Sequence, residues 1–540
     1  MSHPKLNPKQ SLAVNSIEGP MMVLAGPGTG KTQIVAARIA AILEETQMEP
    51  YNILCLTFTE SGVVAMRKRL LSFIGNAAYH VRIHTFHSFC NDVIKENPET
   101  FTYRRDLEPL DDVSRVQIFR KLIDALDPSN VLKPFADPYL YQRDLISNIQ
   151  TLKREDVSPQ AFVELLSRIE SDLHTHEPAI TEFIAIHGSQ LQESEVEQMR
   201  VLLRGTIFEP VFLNALPPLE KKERTQLKNA LKKEFLSIQK QLEKQKSLAK
   251  IYQAYQEELA LKGRYDFEDM ILFVVEAFKN DPELLARYQE QFQYILVDEY
   301  QDTNGAQNEV VQLIASYFDS PNLFVVGDDK QSIYRFQGAS LENILYFYRS
   351  YKERIELVSL EENYRSHQGI LDASHALIQN AEHSLTQFIP NLDFKLSASR
   401  DIENKAIELY EFDQPATEHY FLAKKVKELI DSGVKASEIA IFFRNNYEAE
   451  PLVDLFVRLE LPFRLERGGN ILEDIKIKQL LELLKFLMET TDSARCFHLL
   501  HFDFLGFEPL SIHKLARLRS EKKGPLFDLM LESESFKTFA

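Results

Sequence analysis

The chain has 540 residues, 44% of them apolar and 26% charged, and 62 Lys and Arg against 80 Asp and Glu leave a net charge of −18. That length implies about three to five structural units, and the acidity excludes a generally basic nucleic-acid coat protein while leaving room for a local basic channel. Three scattered cysteines, Cys55, Cys90 and Cys496, exclude a zinc ribbon, an iron–sulfur site or a disulfide scaffold and point to a reduced, cytoplasmic setting. No apolar run reaches the roughly 18 residues of a membrane span, and the N-terminus has no apolar signal core.

Along the first hundred residues, short apolar runs alternate with helical patterns. Met21–Ala25, Asn52–Thr57 and Val81–His84 read as buried strands, with helices running to about Leu43, from Ser61 to about Leu71, and from Phe86. Such alternation predicts a parallel sheet with helices on both faces. From about residue 100 to Lys262 the pattern is helical. Glu220–Lys250 carries ten Lys and Arg against four Asp and Glu, and Leu227, Leu231, Phe235, Ile238 and Leu242 recur at helical spacing. It is an amphipathic helix whose charged side is either a solvated face or a phosphate-contact surface. Strand–helix alternation resumes near Tyr265, with strands at Tyr294–Val297 and Leu323–Val326. A second set follows: a strand at Ala406–Phe412, a helix to about Asp431, a strand at Ile439–Phe443 and a helix from Glu448. The last fifty residues are helical.

After the first strand comes Ala25-Gly26-Pro27-Gly28-Thr29-Gly30-Lys31-Thr32. Three glycines in five residues let backbone N–H groups converge on phosphate oxygens. Lys31 would neutralise the β- and γ-phosphates, Thr32 would place a hydroxyl on Mg²⁺, and the following helix aims its positive N-terminus at the same place. An apolar strand ending in acids supplies the second half of such a site. In Tyr294-Ile-Leu-Val-Asp298-Glu299-Tyr-Gln-Asp302, Asp298 would hold Mg²⁺ through water and Glu299 would orient and deprotonate an attacking water. Lys31 and Asp298 lie 267 positions apart, so the helical block between them is an insertion into the nucleotide-binding domain.

Through these segments and others, the chain resembles the UvrD/Rep-type superfamily 1 DNA helicases over nearly its whole length. Leu6-Asn-Pro-Lys-Gln10 resembles their adenine-reading motif, and Thr57-Phe58-Thr59 with Met66-Arg67 resembles motif Ia. Ile83-His84-Thr-Phe-His-Ser88 resembles motif Ib. Asp298–Asp302, Val326–Gly338 and Glu362-Asn-Tyr364-Arg365-Ser366 resemble motifs II, III and IV. The resemblance implies two RecA-like parallel-sheet lobes of an α/β fold, each with a large helical insertion. It places the first lobe in 1–99 and 263–350, its insertion in 100–262, the second lobe in 351–488 and the start of a second insertion in 489–540. It implies that Gln10 reads adenine, Tyr364 stacks on it, and Gln33 sits beside the nucleotide. Arg365 would reach the γ-phosphate and Gln331 would sense it. Phe58, His84, Tyr334 and Phe336 would meet DNA, the aromatics offering faces to unstacked bases.

The family commonly has Trp where Phe336 stands, often Arg at Gln337, and in many members Arg at Gln33. Its later segments, a Thr-x-His-x-x-Lys-Gly type and one ending in Thr-Arg, have no counterpart in 400–540. The chain is therefore expected to be the N-terminal part of a longer protein, with an incomplete second lobe and weak activity alone. The activity implied is ATP- and Mg²⁺-dependent 3′→5′ translocation on single-stranded and junction DNA, in repair or recombination, without a membrane. The alternatives are the motor of a helicase–nuclease, with a nuclease domain or partner subunit, and a nucleotide-gated DNA-binding module that does not unwind.

Overall fold

The computed structural model describes residues 6–101, 107–186, 190–212, 215, 218–332, 341–380, 385, 388–389, 395–403, 405–465 and 475–532. Two compact units divide the chain, Met1–Ala406 and Ile407–Ala540. Strands of the first unit are β1 (Met21–Ala25), β2 (Ile53–Thr57), β3 (Arg82–Thr85), β4 (Glu108–Pro109), β5 (Arg264–Tyr265), β6 (Tyr294–Val297), β7 (Leu323–Gly327), β8 (Glu356–Leu360), β9 (Glu362–Asn363) and β10 (Ser397–Ala398).

β1, β2, β6 and β7 are apolar runs buried at every position, as strands covered on both faces must be. They lie in a six-stranded sheet of order β3-β2-β6-β7-β1-β8 with every pairing parallel. Val23 of β1 faces Val326 on one side and Val358 on the other. Alternate residues feed two cores. Met21, Val23, Cys55 and Leu296 pack under helices Lys31–Glu45 and Glu60–Ile74. Met22, Leu24, Leu54 and Val297 pack against Phe89, Val274 and Val310 of the opposite helical layer. β8 lies beyond the expected lobe boundary at residue 350, yet it completes this first sheet beside β1.

The block expected as an insertion folds around its own core. Helices Asp112–Asp124, Gln142–Arg154, Pro159–Ala185 and Glu193–Leu202 bury Phe119, Ile149, Leu173 and Val196 against the 42-residue helix Lys221–Lys262. That helix starts at a capping box between Glu220 and Glu223 and stops at Gly263, whose φ of 62° closes it in the left-handed conformation. Leu231, Phe235 and Leu242 form its buried stripe, as the spacing predicts.

A buried ionic joint ties this block to the sheet layer. Lys153 Nζ lies 2.8 Å from both Asp266 Oδ2 and Asp269 Oδ1, and Lys153 and Asp266 are essentially sealed from solvent. The Tyr255 hydroxyl donates to Asp266 at 2.9 Å. Burial, then the Asp266 charge, pushes its pKa up, so it stays a donor. Arg115 approaches Asp266 at 3.5 Å and Arg154 pairs with Glu268 at 2.8 Å.

In the second unit, helices Pro415–Asp431 and Glu450–Arg458 pack through Ala423, Val426, Leu452 and Phe456. Helices Ile475–Met488, Ser493–Leu499, Pro509–Lys522 and Leu526–Glu532 share a second core around Phe486, Cys496, Leu499, Ile512 and Leu515. The strands expected at Ala406–Phe412 and Ile439–Phe443 do not form, and among the described residues this unit has no sheet. A strand needs a ladder partner for its backbone groups, and these two segments do not pair. Leu409 and Phe442 are instead almost fully exposed. The α/β class therefore rests on the first unit's parallel sheet. No helix among the described residues is long and apolar enough to cross a membrane.

Removing Lys153 strands two buried carboxylates, which costs about 3–5 kcal/mol. Lys153→Ala is expected to lower the urea midpoint of the helical transition markedly. The chain has no tryptophan, so far-UV circular dichroism is the probe. An unchanged midpoint would show that the joint contributes nothing to holding the block.

Candidate functional site: a phosphate-loop cavity and a neighbouring groove

β1, β6 and β7 all end at one edge of the sheet, where open parallel sheets bind ligands. β1 runs into the Gly26–Gly30 loop, and Gly28 and Gly30 take φ of 73° and 90°, conformations glycine adopts without strain. Helix Lys31–Glu45 starts there, so its unpaired N–H groups face the same space. A cavity of about 230 Å³ is lined by Pro27, Gly28, Gly30, Lys31, Thr32, Arg69, Glu299, Gln331 and Arg365. Residues expected from three distant motifs thus meet. Ala25 stays inside the sheet opposite Leu360, and Thr29 is buried with its hydroxyl on the Gly26 carbonyl at 2.8 Å. Gln33 is in the first turn of the helix, half-buried.

Lys31 sits in a closed circuit of polar contacts. Its Nζ lies 3.0 Å from Glu299 Oε2 and donates to Gln331 Oε1 at 3.2 Å. Gln331 Nε2 donates to Asp328 Oδ2 at 2.7 Å, Asp328 N donates to Gln301 Oε1 at 3.0 Å, and Gln301 Nε2 returns to Glu299 Oε2 at 2.8 Å. A Cβ on Gly327 would come within 2.6 Å of Gln301 Oε1 and push that amide out of the circuit. Glu299 is held at φ 52°, ψ 46°, a left-handed backbone that costs a non-glycine residue about 1–2 kcal/mol.

Arg69 and Arg365 are exposed at the cavity, with no ion-pair partner for either guanidinium among the described residues. Arg69 carries no motif signal of its own, unlike its neighbour Arg67. Arg67 instead donates to the carbonyls of Ala78 and Ile83 at 2.9 and 3.3 Å. Three cations converging on glycine amides suit a polyphosphate.

Gln10 is packed against the phosphate loop. It is buried, its Nε2 donates to Thr29 O at 2.9 Å and its Oε1 accepts from Asn7 N at 3.1 Å. Here it braces the loop, with one amide N–H and one carbonyl lone pair not used by these two bonds. Tyr364 lies outside the cavity wall, its hydroxyl accepting from Asn7 Nδ2 at 3.0 Å and donating to Glu362 Oε2 at 2.8 Å.

The acids fit a magnesium nucleotide. Asp298 is buried, and its pKa is pushed up to about 7 by burial first and by Glu299 second, against the pull of Lys31. Asp302 is raised to about 7 by the same two causes, and its Oδ1 is buried with no hydrogen-bond partner. Carboxylates this starved of positive charge suit a divalent cation. No cluster of three or more His, Cys, Asp or Glu able to hold a metal occurs among the described residues. A metal here would lean on Thr32, Asp298 and phosphate oxygens, as Mg²⁺ does when few carboxylates hold it.

Beside this cavity a larger groove of about 650 Å³ opens past the ends of β2 and β3. Phe58, His87, Asn91, Arg154, Phe267 and Gln307 are among its lining residues. The rings of His87 and Phe267 stack at 3.7 Å and 18°, and Phe267 is 58% exposed. Burial, then Arg154, lowers the His87 pKa to about 4, so its ring is neutral near pH 7. His84 is not in the groove wall. It lies in β3, 3.6 Å from Asp92 and edge-on to Phe89, because alternation along the strand turns it from the mouth that His87 reaches from the following helix. Tyr334, Phe336 and Gln337 lie outside the described residues. His87, Arg154 and Phe267 were not singled out by sequence. The signal was Asp266-Phe267-Glu268-Asp269, a lone aromatic between acids that the structure buries in ion pairs.

The parallel sheet, the glycine loop and the acidic strand end define a P-loop α/β fold. A sequence model of the UvrD/REP helicase N-terminal domain matches residues 6–352, and one of the UvrD-like helicase C-terminal domain matches residues 358–538. The chain belongs to the UvrD/REP helicase family. It is 28% identical over 528 residues to the ATP-dependent DNA helicase PcrA of Staphylococcus epidermidis, covering 98% of this chain and 60% of that protein. It is 27% identical over 529 residues to PcrA of Staphylococcus aureus, with the same coverage. The chain thus spans about three-fifths of the length of these relatives. The expectation of a poorly active piece finds no support here, since both family domains are represented.

The raised Asp298 pKa has a signed consequence. Below about pH 7 its carboxyl keeps a proton, which a metal must displace; above it the carboxylate is ready. Binding of Mg²⁺·ADP at pH 6.5 is expected to release more protons than binding of ADP with chelator, and its affinity should rise with pH and level off above about 7. Calorimetry in buffers of different ionisation enthalpy reads this directly. Equal proton release with and without metal would remove Asp298 from the metal site.

Proposed function

We propose that this chain is the motor of an ATP-driven DNA helicase that translocates 3′→5′ along a single strand. The observation that carries the reading is the convergence of Lys31, Glu299, Gln331 and Arg365 on one cavity at the strand ends. Bound ATP·Mg²⁺ supplies the γ-phosphoryl group and its charge neutralisation; the remaining work belongs to the chain. Lys31 exchanges its contacts with Glu299 and Gln331 for phosphate oxygens. Glu299, freed from Lys31, orients a water and takes its proton. Arg365 and Arg69 balance the charge that develops on the γ-phosphate. Gln331 loses its Lys31 contact and keeps Asp328, so nucleotide occupancy is felt one residue before Ser332, whose hydroxyl reaches Gln301 O at 3.4 Å. Tyr334 and Phe336 follow directly in the sequence, where they are proposed to face DNA.

The groove is the proposed path of the strand. Phe58, Phe267 and neutral His87 offer π-faces to bases, and Arg154 offers a cation. On the long helix, Lys232, Lys233 and Lys240 are exposed and without ion-pair partners among the described residues, which favours a phosphate-contact face over a merely solvated one. Family membership and the PcrA relatives support ATP and DNA as the ligands. Polarity rests on the family alone.

Three experiments test this reading. Lys31→Ala is expected to abolish DNA-stimulated ATP turnover, whereas Glu299→Gln should still bind ATP and lose turnover by about 10²-fold or more; near-normal hydrolysis by either variant overturns the site. Phe267→Ala is expected to weaken single-strand binding by about 1–3 kcal/mol for every sequence. Reversing Lys232, Lys233 and Lys240 should instead flatten the salt dependence of duplex binding. An unchanged salt slope returns that helix face to solvent.

A further inference from the structure

We propose that Asn363 is a positioning residue that locks Arg365 to the outer face of the phosphate loop, so that arginine and loop move as one piece. The proposal rests on the reading of Arg365 as the γ-phosphate partner.

A phosphate loop turns its N–H groups inward, which leaves its carbonyls on the outer side in need of donors. β9 supplies two. Asn363 Nδ2 donates to Pro27 O, and the next backbone amide, Tyr364 N, donates to Gly28 O at 2.9 Å. The other end of the same side chain faces along its own strand. Asn363 Oδ1 accepts from Arg365 N at 2.8 Å and from Ser366 N at 2.7 Å. One amide therefore holds the loop with its nitrogen and the arginine's backbone with its oxygen. It is 1% exposed, so water does not compete for these bonds.

The packing is as close as the hydrogen bonding. A Cβ on Gly28 would fall 2.7 Å from both Arg365 Cβ and Asn363 Nδ2. β9 is backed by β10, and Leu396 just before it lies against Gly26. The backbone and Cβ of Arg365 are thus fixed against the loop, while its guanidinium has no ion-pair partner among the described residues. A few tenths of an ångström in that placement matter, because misplacing a reacting group by about 1 Å can cost 10²-fold in rate.

Only a side chain with both a donor and an acceptor at this position does the whole task. Asp keeps the two bonds to Arg365 N and Ser366 N and loses the bond to Pro27. Ala loses all three.

The test uses the full chain with single-stranded DNA. It compares Asn363→Asp, Asn363→Ala, Arg365→Ala and the Asn363→Ala/Arg365→Ala pair. Two quantities are read: ATP turnover, and the ratio of affinities for ADP·aluminium fluoride and for ADP, which reports γ-site charge stabilisation without needing turnover. Both Asn363 variants are expected to lower kcat and the affinity ratio by about tenfold or more, with ADP affinity kept within about threefold. In the Arg365→Ala background, Asn363→Ala should add less than about twofold, since it acts through the arginine. Normal behaviour of Asn363→Asp would show that the tie to Pro27 is not needed and overturn the proposal. So would a tenfold loss of ADP affinity, or equal losses with and without Arg365, either of which marks a merely structural residue. If Arg365→Ala itself keeps the wild-type ratio while Lys31→Ala does not bind nucleotide, the arginine reading has failed and the proposal fails with it.

Discussion

The ammonium of Lys31 is the charge around which this structure is arranged. It is nearly buried, and a buried cation without partners is costly. The fold answers with Glu299 and Gln331, brought from the ends of β6 and β7. Those two are in turn fixed by Asp328 and Gln301. The circuit therefore connects the phosphate loop to both acidic strand ends, and any anion that captures Lys31 breaks its contacts with Glu299 and Gln331. Burial of Asp298 and Asp302 at the same sheet edge leaves further unmet demand for positive charge. Buried anions and a buried cation thus share one sheet edge, each answered only in part by the protein.

Much of this was legible in the residues because local chemistry fixed it. Met21–Ala25 and Tyr294–Val297 are apolar at every position, so their strands fall where the sequence places them. The loop glycines and Lys31 announce themselves by spacing. The stripe Leu231, Phe235 and Leu242 marks the long helix by periodicity alone. The tertiary partners were not legible. Arg69 and Arg67 are chemically identical two positions apart, and only the helix rotation decides which lines the cavity and which is held by the Ala78 and Ile83 carbonyls. His84 and His87 differ in the same way, one on a strand and one on the helix after it. Asn363 reads as one polar residue among several, since its role lies in bonds to a loop more than three hundred positions away. Ala406–Phe412 and Ile439–Phe443 have strand composition, but composition supplies no ladder partner.

The insertion poses a different physical problem. It has its own core, and yet its helix Gln142–Arg154 contributes Arg154 to the groove. Lys153, Asp266, Asp269 and Tyr255 solve the placement. An ionic joint is directional where an apolar contact is not, and it fixes Arg154 and Phe267 from the two sides of one seam. The groove's chemistry is thereby set by two layers that fold around separate cores.

The strand order also bears on how this protein is made. β1 leaves the ribosome well before its neighbours in the sheet, β7 and β8, which follow it by about 300 residues. At about 5–20 residues per second, the roughly 300 residues between them take some 15–60 s to synthesise. During that interval Met-Met-Val-Leu-Ala, buried at every position in the finished sheet, has no partner on either edge. The helical block, whose contacts lie within one stretch of chain, can condense meanwhile. A strand that is fully buried in the finished sheet thus spends much of synthesis waiting for its neighbours, a cost set by the strand order and invisible on the mature surface.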